Sequence, residues 1–428
     1  MDERNVKSFA LLRIGLICDI EISMLKGREI VLGVTGGIAA YKAAEFVRLL
    51  IKQEARVHVV MTKNAREFIT PLTFQTLSGN PVTTDPFDLI EEEKIGHIAL
   101  ADLAELIVIL PATANIIGKI ANGIADDFLS TMVMASKAPV LFVPSMNVNM
   151  WENRALQNNI QALMERGYHL MEPGEGELAC HWYGKGRLAE LSEVMEKAED
   201  ILSPKDLKGE RILVTAGPTQ ESIDPVRFVT NHSSGKMGYA LAKMARRRGA
   251  EVILVTGPTS LPIPRSDIKL ISIKTAEEMR KAVFAHLKDC SVVIKAAAVS
   301  DYRPKEISRM KLKKTAPSAS LELERTRDIL GEIGKKKGKR ILVGFAAETE
   351  DLIANARKKL KEKNLDLIVV NDVMKPGAGF ASETNQVKFL TPSGEVKDLP
   401  LMSKEEVSQF ILDEVISLLN RKSRSINS

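Results

Sequence analysis

A chain of 428 residues exceeds what one compact core usually organises, and a typical domain of roughly 150 residues gives two or three domains, with two large ones as the simplest division. Hydrophobic residues make up 45% and charged residues 27%, a globular balance that argues against disorder. The net charge of +5 resides in Lys-rich segments such as GKKKGKR (334–340) that lack the interleaved aromatics of a nucleic-acid platform. Cys18, Cys180 and Cys290 lie far apart with no CxxC pair, which argues against a zinc cluster or disulfide framework and fits a reducing cytoplasm.

The apolar opening FALLRIGLICDI is broken by Arg13 and followed by Asp19 and Glu21, too short and too charged for a signal peptide or a membrane span. Residues 1–26 therefore read as an N-terminal extension. REIVLGVTGG predicts a buried strand ending in glycines, AAYKAAEFVRLLIKQE a helix with apolar residues at helical spacing, and ARVHVVMT a second strand. AELIVILP and APVLFVPS are further strands between helical segments, the alternation of a doubly wound parallel sheet.

The pattern then restarts. KGERILVTAGPT is a strand, KMGYALAKMARRRG a helix with a glycine stop, AEVILVTGP a strand, and CSVVIKAAA and KRILVGFAAE later strands. The polar run ILSPKDLKGE, punctuated by Pro204 and Gly209, marks a boundary near residue 205. The expected fold class is α/β with two successive Rossmann-like three-layer domains. The first (27–204) is a flavodoxin-like flavoprotein sheet and the second (205–428) a nucleotide-binding ligase sheet.

Gly36 and Gly37 follow the first strand, where backbone amides at a helix start can approach a phosphate. GVTGGIAA does not fit GxGxxG, so the turn by itself is equally explained by tight geometry. Polar motifs at strand ends add weight: MTKNA (61–65), PATAN (111–115) and PSMNVNMW (144–151) fall on the edge where open α/β sheets bind ligands. GELACHWYGKGRL sets Cys180 in a glycine-rich loop or flap, although a lone cysteine is more often a small buried hydrophobe. His97, in IGHIALAD, reads equally well as an ordinary imidazole.

TGGIAAYK, GHIALA, PATAN, PSMNVNMW and LAC followed by GKGR, in that order, resemble the flavin-dependent phosphopantothenoylcysteine decarboxylases over residues 27–200. The resemblance implies FMN at the sheet edge, its phosphate near Gly36, Gly37 and Thr62 and its ring near the loop of Thr113. It also implies Asn147 orienting the substrate carboxylate and amide, His97 assisting at the flavin face, and Cys180 returning a proton. Loss of carbon dioxide from an aminoacyl cysteine leaves electrons with no adjacent acceptor, and transient oxidation of the thiol-bearing carbon creates one. His181 and Trp182 follow Cys180 where the family usually carries glycine.

In the second half, TAGPTQESIDPVRFVTNHSSGKMG joins a strand to a helix. A Walker A loop needs glycine at Thr230 and Ser or Thr at Met237, which excludes a classical P-loop, although helix-start amides still hold anions. NHSSGKMG, AAAVSDYRP (296–304), KLKK (311–314), GFAAET (344–349) and KKLKEKNLD (358–366) together resemble the phosphopantothenate-cysteine ligases over residues 209–415.

This resemblance implies activation of a carboxylate by a nucleoside triphosphate, with Mg2+ and lysines offsetting phosphate charge, followed by attack of the cysteine amine. Asn231 would hold the activated intermediate and Lys311 would serve the amine-attack step. Asp301, Lys311, Phe345, Lys359 and Lys363 would hold the nucleotide, with Ala297 and Ala298 letting the backbone approach it. TRDI (326–329) stands where the family has NPDI, so Asp328 and Ile329 carry over and their neighbours do not. Residue chemistry does not separate CTP from ATP; likeness to fused prokaryotic enzymes implies CTP. The implied small-molecule partners are phosphopantothenate, L-cysteine and CTP, with no nucleic acid and no membrane. The implied assembly is a homo-oligomer with trimeric decarboxylase and dimeric ligase contacts, in the cytoplasm. The metal ligands are unknown from the sequence.

Overall fold

The computed structural model describes residues 24–84, 96–177, 182–264, 267–312, 320–348, 351–372 and 382–427. β1 (Glu29–Val34) is buried almost throughout, as a strand covered on both faces must be. α1 (Ala40–Lys52) returns over the sheet on Ala40, Ala43, Phe46, Val47 and Leu50, the three- and four-residue spacing of one helix face. There follow β2 (Arg56–Met61), α2 (Pro71–Ser78), β3 (Val82–Thr83), α3 (His97–Leu103), β4 (Leu106–Ala112) and α4 (Ala114–Ala121). α5 (Phe128–Ala135), opened by an Asp127/Ser130 capping box, leads to β5 (Val140–Pro144), α6 (Val148–Glu152), α7 (Arg154–Glu165) and β6 (His169–Leu170).

These strands form one parallel sheet in the order β3-β2-β1-β4-β5-β6. That is the Rossmann order, and without the two-residue edge strand β3 it reduces to the 2-1-3-4-5 order of flavodoxin-like sheets. An antiparallel hairpin, β7 (Gly174–Glu177) and β8 (Tyr183–Arg187), and α8 (Leu191–Leu202) complete this half.

The second half runs β9 (Arg211–Ala216), the hairpin β10 (Gln220–Ser222) and β11 (Phe228–Thr230), α9 (Lys236–Arg247), β12 (Glu251–Thr256), β13 (Ile268–Ser272), α10 (Ala276–His286) and β14 (Val292–Lys295). A second hairpin, β15 (Tyr302–Pro304) and β16 (Leu323–Arg325), precedes α11 (Ile329–Lys335), β17 (Ile341–Glu348), α12 (Leu352–Glu362) and β18 (Leu367–Asp372). β19 (Thr384–Asn385), β20 (Val387–Leu390), β21 (Val396–Asp398), β22 (Met402–Ser403) and α13 (Lys404–Asn427) close the fold. The large sheet is ordered β13-β12-β9-β14-β17-β18-β20-β21, parallel through β18 and antiparallel beyond it. Both sheets thus reverse strand order beside their first strand, opening a crevice at the carboxyl ends of β1 and β4 and again of β9 and β14.

Each cluster of buried core residues draws on one side of residue 205 alone. The halves meet through Met24, which packs against the second core, and through charge. α8 buries Val194 and Ala198 in the first core, while its Asp200 accepts from Arg246 Nη2 at 2.7 Å and from the buried Arg247 Nε at 2.9 Å, both in the last turns of α9. Burial pushes the Asp200 carboxyl up, but the two guanidinium groups outweigh it and hold it below the usual range. Lys205 straps the junction by donating to the carbonyls of Asp200 and Arg247, each at 2.6 Å.

Candidate active sites

At the first crevice the backbone is pressed together. A Cβ on Gly36 would stand 2.5 Å from Asn64 Cβ, so only glycine lets the β1 loop lie against the loop that follows β2. Thr35 Oγ1 donates to the Pro111 carbonyl at 2.6 Å, and Thr113 caps α4, which ties the β1 and β4 loops across the switch point. The Thr62 amide donates to the Val34 carbonyl. Gly36, Gly37, Thr62 and Thr113 therefore line neighbouring strand ends, and a Cβ on Gly37 would stand 3.6 Å from Thr113 Cγ2. Asn147 follows β5 and caps α6 through the Asn149 amide at 2.8 Å. His97 opens α3, with its ring edge-on to Phe128 at 6.1 Å.

The segment expected as a loop or flap is a β-hairpin, and its glycines are there for close approach. Met146 N donates to the Gly186 carbonyl at 2.9 Å, and a Cβ on Gly186 would stand 2.2 Å from the Met146 carbonyl oxygen. Gly184 sits against Val148 in the same way. β8 thus lies directly on the Asn147 segment. Cys180 and His181, in the connection between paired residues Glu177 and Tyr183, lie outside the described residues.

The second crevice holds a cavity of about 850 Å3. Its floor is the strand ends Lys295, Phe345, Ala346 and Asn371; its walls are Asn231 to Gly238 before and within α9, Ala296 to Val299, and Asp301. Arg325 to Leu330, Lys359 of α12 and Lys363 just after it close the side. Asn231, Ala297, Ala298, Asp301, Asp328, Ile329, Phe345, Lys359 and Lys363 all meet there. Gly235, with φ +79, turns the chain into α9, and a Cβ on Gly238 would stand 2.5 Å from Ala216 Cβ, so the helix start is drawn onto β9. Asn231 Nδ2 donates to the carbonyls of Ala298 and Val299, at 3.3 and 3.1 Å.

Asp328 caps α11 through the Gly331 amide and pairs with Lys363 Nζ at 3.1 Å. Burial pushes its carboxyl up, yet the Gly331 amide and the positive charge of Lys363, with Lys295 further off, bring it below the ordinary value. Lys404, at the start of α13, is pushed down to about 8, first by burial, and against the pull of Glu383 by the neighbouring Lys236. It donates to the carbonyls of Ser382 and Thr384.

Lys311 does not line this cavity. It is exposed, in a segment held to the β10–β11 hairpin by Leu312 N donating to Asp224 Oδ2 at 3.1 Å and Arg227 Nη2 donating to the Leu312 carbonyl at 2.8 Å. Lys313 and Lys314 of the same run lie outside the described residues. Sequence reasoning missed Lys295, Lys236, Asn371, Asn385 and Lys404, which also line the cavity. Three carried a signal: Lys295 ends an otherwise apolar buried strand, and Lys236 and Lys404 each stand at a helix N-terminus, where the peptide dipoles disfavour positive charge. Among the described residues no group of three or more His, Cys, Asp or Glu is arranged to hold a metal ion, and no helix is long and apolar enough to cross a membrane.

Two linked doubly wound α/β sheets, each with a site at its switch point, define a two-unit enzyme of the flavoprotein and nucleotide-binding kind. The family model described as "Flavoprotein" matches residues 20–203, and that described as "DNA/pantothenate metabolism flavoprotein C-terminal domain" matches residues 207–419. The coenzyme A biosynthesis bifunctional protein CoaBC of Bacillus subtilis (strain 168) is 49% identical over 92% of this chain and 98% of its own length. Its namesake in Escherichia coli (strain K12) is 43% identical over 94% and 99%. A crystal structure of the C-terminal domain of such a protein is 46% identical, covering 51% of this chain and 99% of that one, with a TM-score of 0.44. The chain belongs to the family of coenzyme A biosynthesis bifunctional proteins.

Proposed function

We propose that residues 205–428 ligate phosphopantothenate to L-cysteine at the expense of CTP, and that residues 27–204 decarboxylate the product to phosphopantetheine with FMN. The observation that carries this reading is the convergence of Asn231, Ala297, Asp301, Asp328, Phe345, Lys359 and Lys363 on one cavity of nucleotide size at the β9/β14 switch point.

In the ligase, a carboxylate oxygen attacks the α-phosphorus and pyrophosphate leaves. The cysteine amine then attacks the acyl carbon, a proton is lost and CMP departs. Lys359 and Lys363 offset phosphate charge, and the Ala297–Ala298 backbone permits close approach. Asn231, tied to that backbone, holds the activated acid beside it. Mg2+ would arrive with the triphosphate, whose oxygens would supply most of its ligands.

The first crevice suits FMN: the Gly36 position has room for backbone only, the glycine turn between β1 and α1 offers amides to its phosphate beside Thr62, and the Thr113 loop lies next to it for the ring. Bound flavin would supply a two-electron acceptor that returns both electrons within the same cycle. Asn147 orients the substrate carboxylate, His97 stands at the flavin face, and Cys180 returns the proton at the end. The chain acts in the cytoplasm as a homo-oligomer with trimeric contacts between decarboxylase units and paired ligase units.

Incubation of the full chain with phosphopantothenate, cysteine, CTP and Mg2+ should release pyrophosphate, CMP, carbon dioxide and phosphopantetheine; pyrophosphate release indifferent to phosphopantothenate would overturn the ligase assignment. Gly186→Ala should separate the two activities. The added methyl meets the unyielding Met146 carbonyl, an overpacking that costs about 1–3 kcal/mol. Phosphopantetheine output should fall by roughly tenfold or more while phosphopantothenoylcysteine forms at the wild-type rate. Equal loss of both activities would show that the hairpin seat serves the whole fold.

A further inference from the structure

β14 ends inside the ligase cavity on a lysine to which the reaction above gives no task. Lys295 lies between Thr215 of β9 and Gly344 of β17, at the switch point, with Ala296 and Ala297 continuing the cavity wall. Among the described residues no hydrogen bond or ion pair engages its ammonium. The charged groups facing it are Lys363, Asp328 and Asp301. Asp328 is already committed to Lys363 and to the Gly331 amide. Two ammonium groups therefore face two carboxylates, one of them already occupied, in a cavity that Phe345 and Leu365 also line. An unpaired ammonium in such surroundings is disfavoured, and it keeps its charge at higher pH only when a ligand brings an anion.

We infer that Lys295 is a ligand contact of this cavity, donating to a phosphate oxygen of the bound nucleotide alongside Lys363. The inference rests on the nucleotide-binding reading proposed above. A phosphate suits the place better than a second carboxylate, because it presents several oxygens and more than one charge to two neighbouring cations. Burial, reinforced by Lys363 and opposed by Asp328 and Asp301, pushes the Lys295 ammonium down to about 8. Contact with a phosphate favours the charged form and raises it again. Well below pH 8 the lysine is charged with or without ligand, so binding moves no proton through it. Above pH 8 it is largely neutral in the free protein, so binding takes up a proton and affinity falls as pH rises.

The test is calorimetric titration of the full chain with CTP and Mg2+, in buffers of different ionisation enthalpy, from roughly pH 6.5 to roughly pH 9. Wild type should show proton uptake that grows above pH 8. Lys295→Met should lose that uptake and bind CTP on the order of ten- to hundredfold more weakly, the usual loss for a hydrogen bond to a charged group. Lys295→Arg, charged at every pH used, should also show no uptake while keeping part of the affinity, and it decides the matter if the Met variant fails to fold. Uptake in Lys295→Arg equal to wild type would assign the proton to another group, Lys404 foremost, and overturn the inference. So would a folded Lys295→Met that binds as wild type does. A wild-type chain that binds no CTP at all would instead withdraw the nucleotide reading, and this one with it.

Discussion

Cys180→Ser should abolish phosphopantetheine release while leaving bound flavin and ligation intact. In sequence the cysteine falls between β7 and β8, and β8 rests on the Asn147 segment through Gly184 and Gly186. Phosphate anchoring is proposed for Gly36, Gly37 and Thr62, on other loops, and the ligase site lies on the other sheet. Serine preserves size but is far less acidic than a thiol, so proton return is what the substitution removes. Flavin absorbance, phosphopantothenoylcysteine and phosphopantetheine should be measured on one preparation. Normal phosphopantetheine output would take the cysteine out of the mechanism, and loss of flavin would make it an anchor instead.

Lys311→Gln should form acyl-nucleotide and pyrophosphate from CTP and phosphopantothenate, then complete the amide slowly, by roughly a hundredfold or more, as the loss of a transition-state electrostatic partner typically costs. The structure sharpens the contrast between its two readings. Lys311 is exposed and outside the lined cavity, where a solvated lysine contributes little, yet its neighbour Leu312 is fixed on both sides by Asp224 and Arg227. The Arg227 hydrogen bond, with backbone amides of Val226, Arg227 and Leu312, outweighs the effect of burial and holds the Asp224 carboxyl well below the usual carboxylate range, so this clasp stays charged across the working pH. Rapid quenching with and without cysteine should reveal accumulated acyl-nucleotide. Wild-type turnover without accumulation would return Lys311 to the solvated surface, and absence of any acyl-nucleotide would place it in triphosphate binding.

Sequence alone determined the repeating strand and helix order of both halves, because buried parallel strands and one-sided helices each impose a residue period that short windows preserve. REIVLGVTGG and KGERILVTAGPT appear as the central strands β1 and β9, and KMGYALAKMARRRG as α9 with its arginines in the last turn. Most residues singled out by motif in the second half also line one cavity, since residues at the carboxyl ends of parallel strands converge whatever the loop lengths between them.

Tertiary structure decided what depends on distance rather than on period. GELACHWYGKGRL has the glycines of a loop, yet those glycines let β8 lie on the Met146 carbonyl, a contact between segments some forty residues apart (186 against 146) that no local pattern records. Asp200 reads as a surface charge on α8 until Arg246 and Arg247 of the other half are placed against it. Lys295 and Lys404 carry only faint local signals, because a lysine differs from its solvated neighbours not by its flanking residues but by the walls, and the other charges, that the fold brings around it.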